Sequence, residues 1–174
     1  MFFSQPVRYE HLGFGDLVAP STMAKMASII KESSRNYMVR ELASSIVENG
    51  PDKDQKFEVE SIFRWFKNRY RYVKDPHGTE MLQSPLVAIQ KWSNNKIWSG
   101  DCDDATIVLL SLYKSIGYPV AIRAASYRPD GKLTHVYGLV NVYNVWVPID
   151  GIKVNGKVGW EAPKATKIKD VMVK

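Results

Sequence analysis

One cysteine, Cys102, is present in the whole chain. Its isolation excludes an intrachain disulfide framework and a zinc site of the Cys-x-x-Cys type, because both need at least two thiols. Long apolar runs are missing too. The stretch from Ala105 to Leu112 is among the longest and falls far short of the roughly 20 residues that span a bilayer. Met1–Pro20 lacks a basic start, an apolar run and a small-residue cleavage site, so no cleavable secretion signal is read there. The expectation is a soluble, unexported protein, placed in the cytoplasm, with no membrane partner.

What is present describes a compact protein. The 174 residues are 45% hydrophobic and 24% charged, which suits a folded chain and not a disordered one. One domain of this length buries about 70% of the surface its unfolded chain exposes, so a core forms without metal or disulfide staples. Twenty-four Lys+Arg against eighteen Asp+Glu leave a net charge of +6. The excess gathers between Lys53 and Lys74 and in a tail holding Lys153, Lys157, Lys164, Lys167, Lys169 and Lys174. Acids such as Glu58, Glu60, Glu161 and Asp170 are interleaved and no nucleic-acid motif accompanies the lysines, so they read as a solvated surface and nucleic acid is not expected as a partner.

Periodicity separates the chain into a helical half and a strand-rich half. Met23, Met26, Ala27 and Ile30 give a helix over about 22–33, and Tyr37 to Val47 continue the period until Asn49-Gly50-Pro51 stops it. The two helices could be one. Val59, Ile62, Phe63 and Phe66 mark an aromatic-rich helix ending near Arg69; an extended piece and a turn follow over 71–78, with His77 in the turn, and Ser84-Pro85 opens a short helix. From Ala105, apolar residues at 105, 108, 109, 112, 113 and 116 fall on one helical face, which Gly117 and Pro119 end. Strand patterns follow at Val120–Tyr127, Leu133–Val142 and Val145–Ile149, with Arg128-Pro129-Asp130-Gly131 as the first turn. Helices first and an antiparallel sheet after them define an α+β fold.

Cys102 stands at the head of the best helix, where free N–H groups and the positive dipole end favour a thiolate. Asp101, Asp103 and Asp104 oppose that. The expectation is that they point to solvent or cap backbone N–H groups, leaving an imidazolium to hold the thiolate and the thiol readily alkylated below pH 7. His135 lies in a predicted strand, and a hairpin folded about Val142-Tyr143 sets it directly opposite Asp150. Asp150 would then fix the imidazole while the other ring nitrogen faces the sulfur, the arrangement of nucleophile, base and orienter. Val142-Tyr143 is not a favoured two-residue turn, and a one-residue slip would move Asp150 to the wrong face.

Gly100-Asp101-Cys102-Asp103-Asp104 heading a Leu-rich helix, then Thr134-His135-Val136-Tyr137, then Trp146-Val147-Pro148-Ile149-Asp150 resembles the transglutaminase-like superfamily of papain-related cysteine enzymes. Arg71 to Pro76 and Glu80 to Pro85 look like the lead-in of a branch seen in bacteriophage and bacterial genomes. The resemblance covers about 37–151, leaving 1–36 as a helical N-terminal extension and 152–174 as a basic C-terminal tail of a single domain. It implies a papain-like core and a catalytic Cys102, His135 and Asp150. Val136 stands where an aromatic often follows the histidine.

Gln83 is the candidate side-chain donor to an oxyanion, beside the helix N–H groups at Cys102, and Trp98 is a second candidate, by its indole N–H or as a wall of the cleft. Asp101, Asp103 and Asp104 do not follow a known metal-binding pattern, so neither metal nor organic cofactor is expected. The reading is a cysteine-dependent acyl-transfer enzyme on peptide or amide bonds: with water a peptidase or amidase, with an amine a crosslinker. Its partner is a protein or peptide substrate. The alternative is a non-catalytic phage virion structural or assembly protein that keeps the fold, its partners other virion proteins and its place the host cytoplasm or the virion.

Overall fold

The computed structural model describes residues 20–75 and 81–174. His11, His77 and the tip of the turn read at 76–78 lie outside the described residues. No helix among the described residues is long and apolar enough to cross a membrane.

The N-terminal half is helical. Helices α1 (Pro20–Ser33) and α2 (Tyr37–Val47) are separate, because Asn36 leaves the helical conformation and accepts the Met38 N–H at 2.9 Å, capping α2. Asp54 caps α3 (Gln55–Lys67) in the same way through the Phe57 N–H, and Ser84 caps α4 (Pro85–Ser93), whose proline sits where no N–H is needed. Between these two, β1 (Tyr70–Tyr72) pairs in parallel with β2 (Trp98–Gly100), placing Tyr72 beside Gly100. Neither the pairing nor β2 is visible in periodicity, since three residues carry no pattern.

Helix α5 (Cys102–Ser115) is the axis of the molecule. The spacing places its apolar residues on one face, and every residue from Asp103 to Tyr113 is buried. Packing accounts for this: α1, α2 and α3 lie against one side of α5 and the sheet against the other. Gly117, at φ 103°, supplies the left-handed residue that ends it.

Strands β3 (Val120–Ser126), β4 (His135–Val142), β5 (Val145–Ile149) and β6 (Lys167–Met172) form an antiparallel sheet in the order β5-β4-β3-β6. Val120, Ile122, Ala124, Val136 and Val140 face the helices, while Ala121, Ala125, Tyr137 and Leu139 form a smaller cluster on the other face. Gly138 lets α5 approach closely, since a Cβ there would lie 2.5 Å from Leu110 Cδ2. The lysine-rich C-terminal segment thus contributes a strand whose lysines stay exposed.

The β4–β5 hairpin corrects the expected register. Tyr143 and Asn144, at φ 48° and 65°, are the turn residues, so Val142 pairs with Val145 and Gly138 with Ile149. One further step sets Asp150 opposite Tyr137, not His135. The displacement is two residues in the pairing, and because side chains alternate with period two, His135 and Asp150 keep a common face as diagonal neighbours.

Candidate active site

Parallel pairing of β1 with β2 and the cap of α5 bring the approach to Cys102 into place. The Tyr70 hydroxyl donates to the Gly100 carbonyl at 2.8 Å. Asp101 is the extended N-cap residue of α5, yet its side chain makes no capping bond. Thr106 donates to the Cys102 carbonyl at 2.7 Å and lies 3.3 Å from the Val136 carbonyl, which ties the first turn of α5 to the start of β4. The Val136 N–H also acts on Cys102, lowering its proton affinity against the larger effect of burial. The first turn of α5 is thus tied to the strand that begins with His135.

His135 Nε2 lies 2.9 Å from Asp150 Oδ2, with side chains 17% and 8% exposed. Held in this way, the ring has Nδ1 as its remaining nitrogen. Asp150 also shapes the chain beyond β5, where its Oδ1 accepts the Ile152 N–H at 3.2 Å and closes the turn. Lys67 braces that turn by donating to the Gly151 and Lys153 carbonyls, both at 2.8 Å, and burial pulls its own ammonium below the ordinary lysine range. Sequence reading passed over Lys67, which looks like any lysine at a helix end.

The carboxylates at the nucleophile are not where the sequence reading expects them. Asp101, Asp103 and Asp104 are 8%, 3% and 0% exposed. Burial pushes the Cys102 thiol well above the ordinary cysteine range, and the charges of Asp103 and Asp101 push it further, against smaller help from the Val136 and Cys102 N–H groups. The acids are not solvent-screened as expected, because α5 enters the core within one residue of Cys102. Asp104 is itself pushed up to about 7 by burial. It accepts the Gln83 N–H at 2.7 Å and Gln83 Nε2 at 2.6 Å, and Gly100 leaves room for it, since a Cβ there would meet Asp104 Oδ2 at 2.6 Å.

Gln83 and Trp98 are brought together, but facing inward. Gln83 Nε2 donates to Asp104 and to the Ser99 carbonyl, and Trp98 Nε1 donates to Gln83 Oε1 at 3.1 Å. Trp98, 2% exposed, joins Phe66, Tyr70 and Trp92 in an aromatic cluster. Their N–H groups are engaged inside the protein, where they support Asp104. Asp101, Cys102 and Asp103 each present a ligand atom, all within 4.8 Å of one another. These residues could hold a divalent cation, at the expense of the sulfur as a nucleophile.

A helix-borne cysteine packed against the first residues of a strand that carries a histidine, inside a mixed fold of five helices and small sheets among the described residues, defines a papain-like architecture. The chain belongs to the transglutaminase-like superfamily, whose family model matches residues 40–151. Two solved structures are similar in fold. One is a proposed protease from Parabacteroides distasonis ATCC 8503 (TM-score 0.60, 10% identity), covering 97% of this chain and 39% of its own. The other is a proposed cysteine protease from Cytophaga hutchinsonii (TM-score 0.51, 13% identity), covering 95% of this chain and 63% of its own. The chain thus spans less than two thirds of either. No curated protein matches the sequence.

Proposed function

We propose that the protein is a cysteine-dependent acyl-transfer enzyme acting on peptide or amide bonds, with Cys102 as nucleophile, His135 as general base and Asp150 as the group that orients it. The observation that carries this reading is the 2.9 Å bond from His135 Nε2 to Asp150 Oδ2, made at the end of β4 whose next residue, Val136, is tied through Thr106 to the Cys102 carbonyl. The reaction starts from the Cys102 thiol. His135 takes its proton as the sulfur attacks the carbonyl, a thioester forms as the C–N bond breaks, and the same proton leaves with the amine. Water then hydrolyses the thioester, or a second amine takes the acyl group. Helix N–H groups at the head of α5 are available to the oxyanion.

An activated acetyl ester tests the reading without knowledge of the natural substrate. Cys102 is the only cysteine, so mass spectrometry assigns a thioester unambiguously. The expected result is one acetyl group on Cys102, released with time, and lost in His135→Ala. Acetylation at the same rate in His135→Ala would remove His135 from the reaction.

One observation favours a second reading. The thiol is pushed up by burial and by Asp103 and Asp101, which suits a binding or assembly module, such as a phage virion component, that keeps the fold without turnover. A parent protein that never acetylates would decide for it.

A further inference from the structure

One row of side chains crosses the outer face of the sheet from edge to edge. Arg123 on β3 pairs with Tyr137 on β4 and with Asp170 on β6. One step past the Gly138–Ile149 pair, Asp150 stands opposite Tyr137. The row therefore reads Asp170, Arg123, Tyr137, Asp150. Glu161, from the connection before β6, bridges its middle: Oε1 accepts from Arg123 Nη1 at 2.8 Å and from the Tyr137 hydroxyl. Arg123 Nε and Nη2 grip Asp170 at 2.8 and 2.7 Å in the forked geometry suited to a carboxylate.

Tyr137 is 1% exposed, and its ring lies against His135 with centroids 5.4 Å apart and planes 30° from parallel. The imidazole is thus held on an edge by Asp150 and on a face by Tyr137. A single hydrogen bond leaves a ring free to pivot about that bond, whereas a stacked face stops the pivot. The hydroxyl anchored on Glu161 stops Tyr137 from moving in turn. We infer that Tyr137, fixed by Glu161 and Arg123, is a positioning residue for His135. Glu161 and Asp170 lie beyond the 40–151 span of the family match, so the C-terminal segment belongs to the working part of the site.

The catalytic consequence rests on the proposed function, whereas the effect on the imidazole does not. Both are measured on the full chain. Imidazole ¹⁵N resonances of His135, recorded where the ring is neutral, should show in the parent a single tautomer with its proton on Nε2. Tyr137→Leu should mix the tautomers and lower kcat on the acetyl ester by about tenfold or more, with KM changed less than about threefold, since misplacement of a reacting group by an ångström costs on that scale. Tyr137→Phe, which keeps the ring and loses the anchor, should fall between. A folded Tyr137→Leu whose ¹⁵N spectrum overlays the parent would overturn the inference. Should that variant fail to fold, Glu161→Ala at a partly exposed position asks the same question, and an overlay there overturns it equally. A parent that does not turn over would sink the functional reading, and the tautomer measurement would still decide this one.

Discussion

Two sets of carboxylates in this protein meet opposite fates. Asp101, Asp103 and Asp104, in the first turn of α5, are taken into the core. Glu161 and Asp170, on the outer face of the sheet, share the guanidinium of Arg123 at 2.8 and 2.7 Å and remain about one third exposed. Among the described residues no ion pair involves Asp101 or Asp104, and the Asp101 Oδ1 atom is buried with no hydrogen-bond partner. The paired set holds its arginine charged more firmly, while the buried set raises the proton affinity of what surrounds it, Cys102 and Tyr72 included. A carboxylate's effect is thus set by its partner and its burial, not by its presence in the chain.

The strongest way to break this comparison acts through Asp150, the carboxylate that belongs to neither set. Asp150→Ala should reduce acyl transfer by about 10³–10⁴-fold, the scale seen when a triad loses its orienting carboxylate. Because Asp150 Oδ1 also accepts the Ile152 N–H, a stability loss of about 1 kcal/mol should accompany it. Steady-state kinetics and urea unfolding separate the two. A stability loss without a kinetic one would leave Asp150 as a turn residue only.

Next in size is the pH dependence of folding that comes from Asp104. Its folded value of about 7 stands above the unfolded carboxylate value of about 3.9. Between those values the native state binds the extra proton, so stability is fully present below about pH 4 and is lost as pH rises through about 7, by up to about 4 kcal/mol. Urea midpoints at pH 5 and pH 8 should differ in that direction, and Asp104→Asn should flatten the difference. An unchanged slope in the variant would assign the titration elsewhere.

A smaller effect belongs to the thiol. Asp103→Asn removes the larger of the two carboxylate contributions to Cys102, so its alkylation profile should move to lower pH, raising the rate at neutral pH on the order of tenfold. Iodoacetamide labelling across pH measures this at the single cysteine. A profile that moves upward would mean that Asp103 supports the thiolate instead. Last comes the paired set: Arg123→Met should cost about 1–2 kcal/mol in urea unfolding, reduced because its partners are partly solvated. A loss near zero would leave the cluster without a part in stability.

Legibility in the sequence followed the range of the interactions. Caps, stops and turns are local, so Asn49-Gly50-Pro51, Ser84-Pro85 and Gly117 can be read from a few neighbours, and the segments they bound appear as α2, α4 and α5. The placement of Asp150 was legible only in parity. Periodicity keeps it on the face of His135, but Tyr143 and Asn144 as turn residues could not be chosen from strand pattern alone, since Tyr143 takes a left-handed conformation rare for an aromatic. Gln83 and Trp98 meet each other beside Asp104, yet nothing in the chain order tells an amide to face Asp104 instead of a cleft. The strand β6 was hidden by its lysines, which read as surface and are surface, on the edge of a sheet that lysine commonly protects.

The chain by itself determined that a lone cysteine would head a helix, that a histidine and an aspartate would end up on one strand face, and that helices would precede the sheet. These depend on residue spacing and on the few backbone conformations each residue tolerates. Tertiary structure decided the burial that raises the proton affinity of that cysteine, the inward turn of Gln83 and Trp98, and the row from Asp170 to Asp150 that leans on the histidine. Tertiary contacts join residues up to 88 positions apart, and the energy of a charge depends on the medium and partners it meets there, which no local pattern records.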